Sequence, residues 1–382
     1  MKKKIFYWGP FTDDGIGTKK AIYNSVISVN KYSPEFEAII INAVGEWNNE
    51  DINDHIKITN LGSNIFSTLP RYGFIKSRLA YIMIFFVSFL KLKKLLKIEK
   101  PDYLMIHLMT SIPIVLFLIF KFRTKILFRV SGKPKLNFFR SLLWKLADNK
   151  IQNIFCNTSE QKKELIEKKI FSEEKIKVLY DPVFSIKEVL KERSIKEYDA
   201  NFKKDNIIMV GRLTRQKNFE IFIKASKQLY KDNLLRYNTY IFGSGEDKDK
   251  LDKLIKLYKL EKNIFLIGNK KNIHKYFSMS KAFILTSLWE DPGFVLIEAA
   301  LNNLPIISSD CKSGPKEIII DNSGGFLFQN NDIEDLKKKL LEFINSDENQ
   351  IKKKVIKTKK NIRKYSLFKH FKLIESYIKI NQ

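Results

Sequence analysis

The chain has 382 residues, enough for two domains of ordinary size. Its 44% hydrophobic and 13% aromatic content belongs to a globular protein and excludes a disordered one. Two cysteines, Cys156 and Cys311, cannot build a disulfide framework and point to a reducing cytoplasm, and His55, His107, His274 and His370 are too scattered for a zinc site.

The formal charge of +27 raises nucleic-acid binding as a reading, although heavy use of Lys, Ile and Asn accounts for much of it as composition bias. Placement says more. Residues 71–150 hold 17 Lys/Arg against 3 Asp/Glu, whereas residues 1–70 hold 7 against 8 and residues 151–182 hold 6 of each. Bias alone does not confine an excess to one segment.

Lys4–Trp8 follows a short run of lysines and reads as a strand, too short and too aromatic for a signal-peptide core. A loop with Gly15 and Gly17 leads into a helix over Lys19–Asn30, and Phe36–Asn42 is the next strand. Glycines between strand and helix let a backbone approach a phosphate or sugar, but the full dinucleotide spacing G-x-G-x-x-G is absent. Residues 74–98 form a long helix with an apolar centre, Leu79–Leu90, followed by Lys91, Lys93, Lys94 and Lys97. A second apolar stretch, Ser111–Phe120, is bounded by Lys121, Arg123 and Lys125. Neither reaches the roughly 18–20 apolar residues of a spanning helix. Two readings stay open: a buried helix with a lysine-rich outer face, or a helix lying on an anionic membrane. Asp102–His107 and Lys125–Val130 are strands whose ends carry His107, Arg129 and Ser131. Gln152–Asn157, a helix over Glu160–Lys169 and a strand over Lys175–Leu179 close the first half, and the highly charged Lys187–Asn206 reads as linker.

The second half opens with the strand Ile207–Val210 and the loop Gly211-Arg212-Leu213-Thr214-Arg215-Gln216-Lys217-Asn218. Arg212 offers a planar fork and Lys217 a mobile point charge, a pair suited to two phosphates. Tyr240–Phe242 precedes Gly243-Ser244-Gly245-Glu246, and Asp247-Lys248-Asp249 reads as a helix-capping, salt-bridging run, not as a metal-binding D-x-D. Ile264–Gly268 is a strand ending at Gly268-Asn269. Ala282–Leu288 is a buried strand, Glu290-Asp291-Pro292-Gly293 a polar corner, and Phe294–Ala300 a helix with Phe294, Ile297 and Leu301 spaced for burial. Amides of Gly293, Phe294 and Val295 at that helix start favour an anion. The strand Pro305–Ser309, a turn over Asp310–Pro315, a helix over Ile333–Asn345 and a helical tail over Ile351–Gln382 complete the chain. Strand, glycine loop, helix and strand make a βαβ unit, whose ligands sit at the carboxyl ends of the strands. By spacing alone, Glu290 stays open as a turn cap and Glu298 as a solvated helix acid.

Glu290 and Glu298 in a strand–loop–helix, followed by Gly314-Pro315-Lys316-Glu317 and preceded by G-R-L-x-x-x-K-N at Gly211–Asn218, resemble the signature of the family-4 retaining glycosyltransferases. The chain reads Glu-Asp-Pro-Gly-Phe where many members read Glu-Gly-Phe-Pro. The resemblance implies an α/β protein of GT-B fold, two Rossmann-like domains facing across a cleft, with a C-terminal helix crossing back to the first. The acceptor-binding domain would span residues 1–182 plus about 366–382, and the nucleotide-sugar domain 183–365, with Tyr180-Asp181-Pro182 as hinge. It implies a metal-independent, retaining hexosyltransferase. In this reading Arg212 and Lys217 hold the diphosphate, Glu290 the sugar hydroxyls and Glu298 the ribose. Gly293, Phe294, Val295, Gly243, Gly245, Gly268, Asn269, Gly15 and Gly17 complete the donor site, with Gly268-Asn269 near the base, and the resemblance places His107, Arg129 and Ser131 on the acceptor side. The implied substrates are a nucleotide diphosphate sugar, UDP-sugar favoured, and a glycan or polyprenyl-linked acceptor in surface polysaccharide or lipopolysaccharide assembly. No cofactor and no nucleic acid are expected, and peripheral contact with the anionic inner face of the cytoplasmic membrane is. The alternatives are a UDP-sugar epimerase or soluble sugar synthase of the same fold, a basic nucleic-acid-binding protein, and a non-enzymatic sugar binder.

Overall fold

A computed structural model describes the chain except residues 1, 11–16, 49–53, 71–73, 133, 135, 194–201, 203–205, 271 and 381–382. The chain divides into two units, Met1–Val183 with Leu367–Gln382, and Phe184–Ser366.

The first unit runs β1 (Lys3–Trp8), α1 (Gly17–Tyr32), β2 (Phe36–Asn42), β3 (Ile58–Asn60), α2 (Phe74–Glu99), β4 (Tyr103–Ile106), α3 (Ser111–Ile119), β5 (Lys125–Val130), α4 (Phe138–Ala147), β6 (Ile151–Cys156), α5 (Ser159–Glu167) and β7 (Ile176–Val178). Its seven strands are parallel in the order β3-β2-β1-β4-β5-β6-β7. Parallel strands need covering on both faces, which is why Leu104, Ile106, Leu127 and Phe128 read as continuous apolar runs. One face packs on Ala80, Ile84, Leu92 and Leu96 of α2, on α3 and on Trp144 of α4. The other packs on Ile22 and Val26 of α1 and on Leu367, Ile374 and Ile378.

The second unit runs α6 (Ile186–Arg193), β8 (Asn206–Val210), α7 (Phe219–Lys231), β9 (Thr239–Phe242), α8 (Lys248–Leu257), β10 (Ile264–Gly268), α9 (Ile273–Met279), β11 (Ser280–Leu285), α10 (Phe294–Leu301), β12 (Ile306–Ser309), α11 (Pro315–Ile319), β13 (Phe326–Phe328), α12 (Ile333–Asn345) and α13 (Glu348–Asn361). Six parallel strands lie in the order β10-β9-β8-β11-β12-β13. In both sheets the order reverses, between β1 and β4 and between β8 and β11, and such switch points are where open α/β sheets bind ligands.

Several local expectations are corrected. The charged stretch from Lys187 is helical at its start, as α6, with Val189 buried, and Phe202 beyond it packs on Tyr240, Phe242 and Tyr276. β11 ends at Leu285, because Thr286 and Leu288 turn aside to bond Lys217 O (2.9 Å) and Gln216 O (2.8 Å). On α10, Ile297 and Leu301 are buried as the spacing predicts, but Phe294 is only half-buried and Leu296 is buried instead. Asp247 precedes α8 without a side-chain capping bond.

The last helix, α14 (Leu367–Ile380), packs on α1 in the first unit. A buried polar chain fastens it. His370 Nδ1–H donates to Tyr180 O at 2.6 Å, which fixes the tautomer and leaves Nε2 to accept from Ser25 Oγ at 2.8 Å. Tyr7 Oη lies 2.9 Å from the same Ser25 Oγ, and Ser28 Oγ donates to Leu367 O at 2.7 Å. Burial holds the His370 pKa down at about 3. An unfolded histidine takes up a proton below about 6.5 that folded His370 refuses until about pH 3, so stability falls as pH drops through that window and is indifferent to His370 above it. Compared with His370→Asn, the wild-type chain should lose about 1.4 kcal/mol more per pH unit between pH 6 and 4. Chemical denaturation across that range checks this, and parallel slopes would contradict the buried neutral imidazole.

Candidate active site

The second unit's switch point is built by loops leaving β8 and β11. Residues 211–218 fold back so that the Lys217 stem lies over Gly211, where a Cβ would sit 3.2 Å from Lys217 Cγ and Cδ. The loop after β9 presses backbone against backbone on this segment. A Cβ on Gly243 would come 1.9 Å from Gly211 O, and one on Gly245 2.3 Å from Leu213 O. The Gly243 amide donates to Gly268 O at 3.0 Å, so these two glycines serve loop packing. Gly268 has φ +79 with open space at its Cβ position, and exposed Asn269 donates through Nδ2 to Ser244 Oγ at 2.9 Å.

Lys217 and Glu290 meet at the centre. Lys217 Nζ lies 2.6 Å from Glu290 Oε1, with side chains only 13% and 5% exposed. Ser287 Oγ donates to the same carboxylate oxygen at 2.5 Å, a contact the sequence reading missed; the Thr-Ser pair following a buried strand was its signal. Gln216 Nε2 donates to Trp289 O at 2.9 Å. The loop after β12 supports this corner from below. Ser309 Oγ donates to Ser287 O at 2.6 Å, Glu290 N to Lys312 O at 3.3 Å, and a Cβ on Gly314 would collide with Pro292 O at 1.9 Å. The neighbouring Cys311 thiol is pushed up to about 12 by its burial and then by the Glu290 charge, so it is no nucleophile.

Gly293, at φ +92, caps α10, and Phe294 and Val295 form its first turn, where amides lack intrahelical partners. Glu298 stands in the next turn, half-buried. Arg212 is exposed, its Nη2 3.4 Å from Gln216 Oε1. The fold thus gathers Arg212, Lys217, Glu290, Gly293, Phe294 and Val295 around the carboxyl ends of β8 and β11. Two cations, one buried carboxylate and a helix start in that arrangement can bind a polyanion and orient hydroxyls beside it. Among the described residues, no group of three or more His, Cys, Asp or Glu side chains could hold a metal ion.

In the first unit, Gly15 lies outside the described residues and Gly17 is exposed at the start of α1. His107 follows β4 at that sheet's switch point, buried and stacked on Tyr7 with ring centroids 5.8 Å apart. Neither ring nitrogen has a hydrogen-bond partner among the described residues, and burial, then the Arg129 charge, holds the imidazole neutral. Ser131 is half-buried just beyond β5. Arg129, expected on the acceptor side, is instead buried and spends its guanidinium on Leu179 O and the Asp181 carboxylate, a structural tie from β5 to the segment after β7.

The sequence pattern of the family described as glycosyl transferases group 1 matches residues 191–365, which include every second-unit residue of the site. That match covers nearly the whole of the second unit, Phe184–Ser366. An uncharacterized glycosyltransferase of Methanocaldococcus jannaschii is 31% identical over 60% of this chain and 60% of its own length. The poly(ribitol-phosphate) alpha-N-acetylglucosaminyltransferase of Staphylococcus aureus is 30% identical over 52% of this chain, and only 38% of that enzyme is matched. A Campylobacter jejuni alpha-1,4-N-acetyl-D-galactosaminyltransferase acting on a diphosphoundecaprenol-linked glycan is 26% identical over 95% of this chain and 94% of its own. Against the first two relatives the chain therefore spans less than two thirds of their length. The crystal structure of S. aureus TarM with UDP, Fondaparinux and alpha-GlcNAc-glycerol superposes over the full length of both chains with a TM-score of 0.72 at 16% identity. That likeness fixes the fold as GT-B.

Removing one partner of the buried Lys217–Glu290 pair strands the other charge. Lys217→Met and Glu290→Gln should each cost about 3–5 kcal/mol, and the double variant clearly less than their sum. Urea denaturation of the four proteins tests the coupling, and additive losses would contradict it.

Proposed function

We propose that the protein transfers a hexosyl unit from a nucleotide diphosphate sugar, a UDP-sugar in first preference, to a hydroxyl of a lipid-linked glycan, with retention at the anomeric carbon and without a metal. The observation that carries this reading is the Lys217–Glu290 pair at the switch point of the group 1 domain, with Arg212 beside it. An ammonium has three N–H donors, and Glu290 takes one of them, aiming the charge. As the glycosidic bond loosens, charge gathers on the departing diphosphate, where Arg212, Lys217 and the α10 amides stabilise it. Glu290 holds sugar hydroxyls on its other side and Glu298 holds the ribose. TarM, a fold relative, binds UDP, which supports the choice of base. The near-full-length Campylobacter relative uses an acceptor on undecaprenyl diphosphate, which supports a lipid-linked acceptor in surface polysaccharide or lipopolysaccharide assembly and a peripheral position at the cytoplasmic membrane. No described helix is long and apolar enough to cross a membrane.

Arg212 is exposed and Glu298 half-buried, so changing them should leave folding intact. Arg212→Ala and Glu298→Gln should each reduce transfer at least about a hundredfold with unchanged melting. Near-normal rates in both would dismiss the reading, and product analysis separates transfer from epimerisation. Among nucleoside diphosphates, UDP should stabilise the protein by about 2.7 kcal/mol at a hundred times its dissociation constant, with GDP and ADP well below it. A thermal-shift series checks the preference.

A further inference from the structure

The helix α2 is apolar on two opposite faces. Ala80, Ile84, Ser88, Leu92 and Leu96, four residues apart, line the side buried against the first unit's sheet. Leu79, Ile82, Phe86 and Leu90 line the opposite side, and Phe86 and Leu90 are 75% and 67% exposed. Their spacing of three, four and four keeps them on one stripe, about 16 Å long at 1.5 Å per residue. Lys76 stands before the stripe, and Lys94 and Lys97 continue it, all three exposed. The helix α4 repeats the arrangement. Trp144 and Ala147 face the core, whereas Phe138, Phe139, Leu142 and Leu146 face outward, the two phenylalanines 74% and 79% exposed, with Lys145 beside them. Both helices touch α3, which adds exposed Leu118 and Ile119, so the three outward faces adjoin.

A helix that is apolar all round is ordinarily enclosed, and exposed apolar side chains gathered on neighbouring elements mark a binding surface. The charges around the patch select the partner. The helices α2, α3 and α4 with residues 120–124 carry ten Lys/Arg and a single acid, Glu99. A second copy of this face would bring lysines against lysines, which repel. A surface with anionic headgroups outside and hydrocarbon just beneath complements both features.

The geometry points to the outward face of α2, α3 and α4 as a bilayer-docking surface, with Phe86, Leu90, Phe138 and Phe139 entering the acyl boundary and the flanking lysines meeting anionic phospholipid headgroups. Vesicle binding reads no sugar transfer, so its failure would leave the donor-site reading untouched, and the reverse also holds.

The test is flotation of the full chain with vesicles of seven parts phosphatidylcholine and three parts phosphatidylglycerol at 100 mM salt, against pure phosphatidylcholine. The wild type should float with the mixed vesicles and bind the neutral ones at least about tenfold more weakly. Phe138→Ser/Phe139→Ser and Phe86→Ser/Leu90→Ser should each lower partitioning at least about tenfold while melting stays unchanged, because these side chains are exposed. A fluorophore on Phe139→Cys should be quenched by brominated acyl chains. Absence of binding to the mixed vesicles would overturn the proposal. So would full binding by the combined four-residue variant, which would mean adsorption by charge alone. A solution dimer that the same substitutions split, with vesicle binding unaltered, would assign the face to a second copy.

Discussion

One buried ion pair organises the second unit. Lys217 and Glu290 belong to loops leaving adjacent strands at the point where the strand order reverses, and each is the other's charged partner. Two charges withdrawn from water are costly unless paired and hydrogen-bonded, so whatever fixes one fixes both. Bonds from the Leu288 amide to Gln216 O and from the Thr286 hydroxyl to Lys217 O hold the loops in register, and Ser287 supplies the neutral donor to the carboxylate. The glycines at 243, 245 and 314 follow from the same constraint, since each permits a backbone to pass where a Cβ would collide.

The first unit solves a related problem with neutral groups. At its switch point stand Tyr7, Gly9 and His107, and the polar chain from Tyr7 through Ser25 and His370 to Tyr180 O connects the sheet to the chain's last helix. Burial keeps both imidazoles uncharged, so the unit avoids ionising where no counter-charge is at hand. The exception is Arg129, always charged, which is satisfied only because Asp181 and Leu179 O return to it from beyond β7.

How much could be read in advance follows from the range of the forces involved. Phe36–Asn42, Lys125–Val130, Ile264–Gly268 and Ile333–Asn345 have the bounds their own apolar patterns prescribe, because local periodicity determines them. The Arg212–Lys217 loop and the Glu290 corner could be singled out only through the family resemblance, since spacing alone left Glu290 open as a turn cap. Legibility failed where long-range partners decide. Nothing near Arg129 in sequence announces Asp181, and nothing near Leu285 says that the strand must stop so that Thr286 and Leu288 can bond another loop. The helix α6 hid for a different reason: its charged composition leaves little apolar pattern, and Val189 alone among its described residues is buried.

The long helix α2 marks the limit of pattern reading from the other direction. Composition showed apolar residues followed by lysines, which suits a buried helix and a surface-bound one equally. The packed structure adds the direction of each residue, placing Ala80, Ile84 and Ser88 on the buried side and sending Phe86 and Leu90 outward. A helix needing only a solvated outer face would have been served by polar residues there at no loss of core packing. Phe86 and Leu90 leave most of their apolar surface in water, where such surface favours association. They stand in the one segment of the first 182 residues where basic charge is concentrated. Apolar exposure and local positive charge are each unremarkable alone; their coincidence on adjoining helices is the observation on which the bilayer-docking proposal rests.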